Sequence, residues 1–217
     1  ELHSFPTRRS SDLNPNKGGD RLKHYFTDNR ELPSDRKEIS FRFLGYDYRF
    51  VSDAGVFSKG EADEGSLLLV KTVLEEPLQS PLLDLGCGWG LMSLLLKHTR
   101  PQLQIVGTDI NPRAIECARE TSLKLNLPAT FLVGDGTSAL SDPFQTVILN
   151  PPIRAGKDVV YRLFQESYDI LTKSGCLYVV IRRQQGAASA AKELERIFGN
   201  ISRIALKRGF EVLKASK

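Results

Sequence analysis

Leu82-Leu83-Asp84-Leu85-Gly86-Cys87-Gly88-Trp89-Gly90 reads as a short buried strand, Leu82 to Leu85, entering a turn with glycine at every second position. Gly86 and Gly88 permit a sharp turn that brings backbone close to a ligand, and Gly90 permits tight helix packing. Regular alternation follows. A helix is expected from Gly88 to His98 and a strand from Leu103 to Thr108, after which Asn111 and Pro112 supply an N-cap and a first-turn proline for a helix to about Leu125. Ala129 to Val133, Thr146 to Leu149 and Gly175 to Ile181 read as further strands, with a helix from about Lys157 to Lys173 before the last. Repeated strand-helix units predict an α/β fold: a parallel sheet with helices on both faces. In such sheets ligands collect at the carboxyl ends of the strands, where strand order reverses.

The flanks extend this core. Ser189 to Phe198 reads as a helix, and Ile201 to Lys207 and Phe210 to Leu213 as strands whose tight connection at Gly209 makes them antiparallel. Upstream, Ile39, Phe41 and Phe43 alternate on one side of Gly45 and Tyr46, Tyr48 and Phe50 on the other, a hairpin over residues 38–52. Its aromatics either cover one end of the sheet or stack on bases. Gly55 to Gly65 reads as a loop and Ser66 to Glu76 as a helix stopping before Pro77. Residues 14–37 are polar loop with one short helix at Arg21 to Phe26. The opening residues stand apart, because the chain begins at Glu1 and its one methionine is Met92. His3 to Leu13, HSFPTRRSSDL, looks like a translated adapter oligonucleotide, so residues 1–13 are expected to be a non-native leader, the alternative being a disordered Arg/Ser-rich one. Residues 38–217 then form a single domain.

Composition agrees with one domain: 217 residues, 41% hydrophobic and 26% charged, build one well-buried core. No apolar run approaches the ~20 residues of a membrane span. Cys87, Cys117 and Cys176 are odd in number and far apart, which indicates neither a disulfide framework nor a zinc site and fits a reducing, cytoplasmic setting. The net charge of +4 is uneven: residues 151–217 hold 13 Lys/Arg against 6 Asp/Glu, and the remainder 17 against 20. A basic region after residue 150 suits a polyanion, or is ordinary solvated helix surface.

A nicotinamide fingerprint, G-x-G-x-x-G, requires glycine at position 91, where this chain has Leu91; that argues against a dinucleotide. Asp109 closes the second strand, 19 residues after Gly90, where a carboxylate can accept both hydroxyls of a ribose. Asp135, between Gly134 and Gly136, can accept from an adenine amine; for both aspartates the plainer reading is a turn cap. Asn150-Pro151-Pro152-Ile153 ends the fourth strand. An asparagine amide beside a carbonyl whose direction is set by two prolines is equipment for orienting an NH2 group, although Asn-Pro turns also end strands for structural reasons alone. Cys87 reads as a small buried residue and not as a nucleophile. His24 and His98 have no evident partner and read as surface or packing residues.

These residues resemble the class I S-adenosylmethionine-dependent methyltransferases, and residues 20–217 resemble the small methyltransferase-domain family that includes bacterial 16S rRNA guanine-N2 methyltransferases. The resemblance rests on Gly55-Val56-Phe57-Ser58, on residues 83–90, on Asp109, and on Asn150-Pro151-Pro152-Ile153 followed by Arg154-Ala155-Gly156-Lys157. It implies a Rossmann-like, mostly parallel seven-stranded sheet with an antiparallel last strand. It implies S-adenosyl-L-methionine as cofactor, its methionine part held by Asp84 and the turn at Gly86, Cys87, Gly88 and Gly90. The ribose falls to Asp109 and Ile110, the adenine to Asp135 and Gly136, and Asn150 contacts both cofactor and target. Asn150, Pro151 and Pro152 are then the catalytic set, acting on an exocyclic amine without a metal.

The resemblance points to guanine N2 of small-subunit rRNA; a protein glutamine amide or a DNA adenine would use the same chemistry, and a non-catalytic RNA-binding assembly factor is the third reading. Relatives place an aromatic residue fourth in the Asn-Pro-Pro motif, to stack on the base; here it is Ile153. A base inside a duplex cannot reach such a pocket, so the target must be flipped or single-stranded. Ile153 is expected to line the target pocket, Arg154, Lys157, Arg182 and Arg183 to hold RNA phosphates, and Gln185 to read a base edge, surface roles being the alternative.

Overall fold

The computed structural model describes residues 33–56 and 61–217. The expected leader, the helix at Arg21 to Phe26, His24, Phe57 and Ser58 lie outside the described residues. In chain order the elements are a hairpin of β1 (Lys37–Phe43) and β2 (Tyr46–Ser52), then α1 (Glu64–Val73), β3 (Leu82–Leu85) and α2 (Leu91–Thr99). These are followed by β4 (Ile105–Asp109), α3 (Pro112–Leu125), β5 (Thr130–Val133), β6 (Phe144–Leu149) and α4 (Lys157–Ile170). The last four elements are β7 (Leu171–Arg182), α5 (Ala187–Phe198), β8 (Ile201–Lys207) and β9 (Phe210–Ser216), with a short 3-10 turn, Arg183–Gln185, between β7 and α5.

Seven strands form one sheet in the order β5-β4-β3-β6-β7-β9-β8. The first five are mutually parallel; β9 is antiparallel to both β7 and β8. Strand periodicity divides the apolar residues between two cores. Leu82, Ile148, Tyr178 and Val180 join one core with residues of α1, α2 and α3, and Leu83, Leu85, Val147, Leu149 and Val179 join the other with residues of α4 and α5. Helices thus cover both faces, as expected of a mainly parallel sheet.

Several boundaries differ from those expected, each for a local reason. Gly86, Gly88 and Gly90 have φ of +72°, +55° and +81°. Helical backbone cannot pass through that region, so α2 starts at Leu91 and not at Gly88. α1 starts at Glu64, ahead of Ser66, because Asp63 caps it by accepting from the Ser66 N–H at 2.7 Å. α4 stops at Ile170, since β7 already begins at Leu171, pairing with Phe144 across an irregular register.

The hairpin is a separate two-stranded sheet, and its aromatic residues lie on the glycine turn and α2 instead of on the end of the main sheet. The fully buried Phe50 ring meets Trp89 edge-on at 5.4 Å. Tyr48 Oη and His98 Nδ1 are 2.6 Å apart, giving His98 the packing role read from sequence with a partner the sequence did not reveal. The Val51 N–H donates to Thr121 Oγ1 of α3 at 2.9 Å. The hairpin therefore braces the turn from outside. Phe50→Ala should destabilise the protein by about 3 to 5 kcal/mol, the usual cost of emptying a buried phenylalanine site; urea unfolding measures it, and a loss below about 1 kcal/mol would refute the bracing role.

Candidate active site

Strand register assembles the site. Leu85 of β3 pairs with Thr108 of β4 and with Leu149 of β6, so Gly86, Asp109 and Asn150 follow at the carboxyl edge of three adjacent strands. At a strand spacing of about 4.8 Å, Asp109 and Asn150 stand on the order of 10 Å apart with the glycine turn between them. After β3 the chain goes out to β4 and β5, then returns to β6 on the other side of β3. This reversal is the switch point at which such sheets bind ligands.

The glycine turn is tied at both ends. The Cys87 N–H donates to the Thr108 carbonyl at 2.8 Å and the Gly88 N–H to Asp109 Oδ2 at 2.8 Å. The Cys87 side chain is turned inward against Gly107, where any Cβ would lie 2.9 Å from its sulfur. Burial, with the Asp84 and Asp109 carboxylates nearby, pushes the Cys87 thiol well up, consistent with a packing residue. On the other side, a Cβ built on Gly86 or Gly88 meets nothing within 4 Å. Backbone there is bare and approachable.

Asp84 is fully buried. Its Oδ2 accepts from the Ser93 N–H at 3.0 Å and the Ser93 hydroxyl at 2.6 Å, which caps α2 in place of Gly90, a residue with no side chain to do so. Its Oδ1 is buried without a partner. Asp109 accepts the Asn111 N–H at Oδ1, 2.8 Å, besides that of Gly88 at Oδ2, leaving a further lone pair on each oxygen. Burial raises its carboxyl pKa while these two N–H bonds lower it. Ile110 and Val133 expose apolar side chains at the same edge.

Asn150 is positioned by a contact that the sequence reading missed. Its Nδ2 donates to Asp63 Oδ2 and to Ser66 Oγ, both at 2.9 Å. The sequence does carry a signal: Asp63 precedes Ser66 by three residues, a capping spacing, whereas the helix expected from sequence starts at Ser66 itself. The Asn150 carboxamide oxygen has no partner among the described residues. Pro151 is buried, and its carbonyl accepts the Ile153 N–H at 2.9 Å, so one of its two lone pairs is in use. Ile153 packs against the α4–α5 core.

Asp135 is exposed, and its Oδ1 is paired with Arg162 at 2.7 Å. Gly136 adopts φ +57° hard against the Glu166 carboxylate, which also accepts the Thr137 N–H at 2.9 Å. An adenine amine at Asp135 would share that carboxylate with Arg162. Arg154 and Lys157 are exposed just past β6, Arg182 is exposed at the end of β7, and Arg183 and Gln185 are exposed just past it. Arg182 and Arg183 line a cleft of about 730 Å3 with Arg203, Arg208 and Glu211, so the β8–β9 hairpin contributes two arginines not anticipated from sequence. The Arg182 guanidinium lies 4.6 Å over the Phe210 ring. A Cβ on Gly65 would stand 2.9 Å from that ring and 3.2 Å from Asp63 Oδ2, which joins the arginine cleft to the anchor of Asn150.

Burial, reinforced by the Asp109 carboxylate and opposed by the Ser93 hydrogen bonds, pushes the Asp84 carboxyl up to about 7 from 3.8. Between those values the folded chain retains a proton that the unfolded chain has lost, so this group makes the native state less stable as pH rises from about 4 to about 7, and adds no further slope above. Asp84→Asn should therefore gain stability relative to the parent across that window. Denaturant unfolding at several pH values tests this, and parallel curves for the two proteins would refute it.

Comparison with known proteins agrees with this geometry. The family model described as the methyltransferase small domain matches residues 47–214. YbxB of Bacillus subtilis, an uncharacterised protein, is 37% identical over 202 residues, covering 90% of this chain and 98% of its own. Ribosomal RNA small subunit methyltransferase C of Pasteurella multocida is 36% identical over 120 residues, 55% of this chain and 36% of that one. Among solved structures, the T. thermophilus 16S rRNA N2 G1207 methyltransferase (RsmC), in complex with AdoMet and guanosine, superposes with a TM-score of 0.77 at 28% identity, covering 86% of this chain and 52% of the other. The chain thus spans about half or less of these two rRNA methyltransferases, but nearly all of YbxB. It belongs to the methyltransferase small domain family and is an S-adenosylmethionine-dependent methyltransferase.

Proposed function

We propose that this chain methylates the exocyclic N2 amine of a guanine in small-subunit rRNA. The observation that carries the reading is Asn150: both hydrogens of its amide nitrogen are engaged by Asp63 and Ser66, which leaves the carboxamide oxygen as a hydrogen-bond acceptor at the sheet edge. Residues present fit the cofactor. The open backbone at Gly86 and Gly88, the orphaned Asp84 Oδ1 and the spare Asp109 lone pairs suit, respectively, close van der Waals approach, a positively charged group and a pair of hydroxyls. Asp84 and residues 86–90 would hold its methionine part, Asp109 and Ile110 its ribose, and Asp135 and Gly136 its adenine. When bound, S-adenosylmethionine supplies an electrophilic sulfonium methyl.

The chain's own task is orientation and exclusion of water. An aromatic amine has its lone pair delocalised into the ring. Accepting its hydrogens at Asn150 Oδ1 and at the second lone pair of the Pro151 carbonyl favours a more tetrahedral, nucleophilic nitrogen, and preorganised acceptors do this without reorganising during the reaction. Pro151 and Pro152 hold those acceptors because ring closure restricts their φ. The base must be flipped or single-stranded, and Ile153 offers an apolar contact in place of a stacking ring.

The arginine cleft supports an RNA target over a protein amide, since its four guanidinium groups outnumber the Glu211 and Glu64 carboxylates with which they pair and suit phosphates. The T. thermophilus relative, solved with guanosine, supports guanine over adenine. Asn150→Ala should still bind S-adenosylmethionine by calorimetry, losing far less affinity than activity, while labelled methyl transfer falls by about 100-fold or more; equal loss of both would remove the catalytic assignment. Nucleoside mapping of 16S rRNA from cells with and without the gene should reveal one missing N2-methylguanosine, and identical maps would sink the rRNA reading. Arg203→Glu combined with Arg208→Glu should weaken 16S rRNA binding and flatten its salt dependence by about one to two units of log-log slope, leaving cofactor affinity untouched.

A further inference from the structure

We propose that Asp63, assisted by Ser66, is the positioning residue that sets which way round the Asn150 carboxamide faces. The inference rests on the reading that Asn150 presents its oxygen to the target amine. An asparagine amide rotates about a broad, roughly two-fold torsion, so nothing in the side chain itself distinguishes oxygen-out from nitrogen-out. Only one of the two is useful. Turned the wrong way, Asn150 would point NH2 at NH2, donor against donor, and would neither hold the amine nor draw on its hydrogens.

The surroundings remove that ambiguity. A carboxylate oxygen only accepts, so the Asn150 atom that meets Asp63 Oδ2 at 2.9 Å must be the nitrogen, and Ser66 Oγ takes the second hydrogen at 2.9 Å. Asp63 Oδ2 simultaneously accepts the Ser66 N–H at 2.7 Å, and Asp63 is the N-cap of α1. One oxygen atom thus fixes both the first turn of a helix and the amide of a residue 87 positions away. Drawing negative charge toward the NH2 hydrogens also polarises the carboxamide, which makes its far oxygen a stronger acceptor. Gly65 keeps the arrangement compact: a Cβ there would press on the Phe210 ring and the Asp63 carboxylate together.

Capping and positioning can be separated by choice of substitution. Serine is as good an N-cap as aspartate but too short to reach Asn150, so Asp63→Ser keeps the helix start and frees the amide. Asp63→Asn retains an oxygen able to accept from both the Ser66 N–H and Asn150 Nδ2, losing only the charge. With 16S rRNA from cells lacking the gene and tritiated S-adenosylmethionine as probes, Asp63→Ser should lower kcat by about tenfold or more at unchanged cofactor affinity and unchanged melting temperature. Asp63→Asn should recover most of that loss.

A second readout needs no substrate. The side-chain amide signals of Asn150, identified by their disappearance in Asn150→Ala, should exchange slowly with solvent in the parent and in Asp63→Asn. In Asp63→Ser they should exchange about tenfold faster or more. Parental kcat and amide exchange in Asp63→Ser would overturn the proposal; so would equal kcat losses in both variants, which would assign the effect to charge, or losses that merely follow a fall in melting temperature, which would assign it to the cap. Transfer that survives Asn150→Ala would instead overturn the catalytic reading of Asn150 on which the proposal stands.

Discussion

Pairing of β3 with both β4 and β6 is the constraint from which the rest of the site follows. Parallel strands with evenly spaced hydrogen bonds hold their ends in fixed register, and side chains alternate between faces with no freedom to slip by one residue while both faces are buried. Leu83 and Leu85 are sealed into one core and Leu82 into the other. With that register set, the residues following Leu85, Thr108 and Leu149 must emerge together. The glycine turn, the Asp109 carboxylate and Asn150 are neighbours because that register brings the three strand ends to one edge.

Around that edge the protein keeps acidic groups largely out of water, Asp84 fully buried and Asp109 half-buried. Asp109 lies close enough to Asp84 to disfavour its ionisation, and one oxygen of Asp84 is left with no hydrogen bond at all. Buried carboxylates without counterions are unfavourable, and a ligand carrying positive charge relieves that cost on binding. The same edge on its outer side is basic, with Arg182, Arg183, Arg203 and Arg208 around Glu211. Opposite electrostatic characters therefore meet across Asn150: buried carboxylates on the side of β3 and β4, and a cluster of arginines on the side of β7 and its hairpin.

Much of this was legible in the chain itself. Strands such as Leu82–Leu85 and Ile201–Lys207 were read with their boundaries intact because buried, β-rich runs between turn residues carry a local signal. The Asn111-Pro112 helix start was legible for the same reason, since the cap and the proline are adjacent in sequence. What escaped was non-local. Asp63 meets Asn150 across 87 residues, Asp135 meets Arg162 across 27, and Tyr48 meets His98 across 50, and no spacing rule announces such pairs. Arg203 and Arg208 were likewise invisible as partners of Arg182 and Arg183 until β9 was found between β7 and β8.

That placement of β9 bears on biosynthesis. Of the nine strands among the described residues it comes last from the ribosome, yet it occupies an interior lane of the sheet and donates Val212 to one core and Leu213 and Ala215 to the other. Until it emerges, β7 and β8 have no common neighbour, and each offers an open edge to any extended segment nearby. A chain without β9 would thus carry the ends of β3, β4 and β6 beside a slot in its flank, open to pairing with other extended segments.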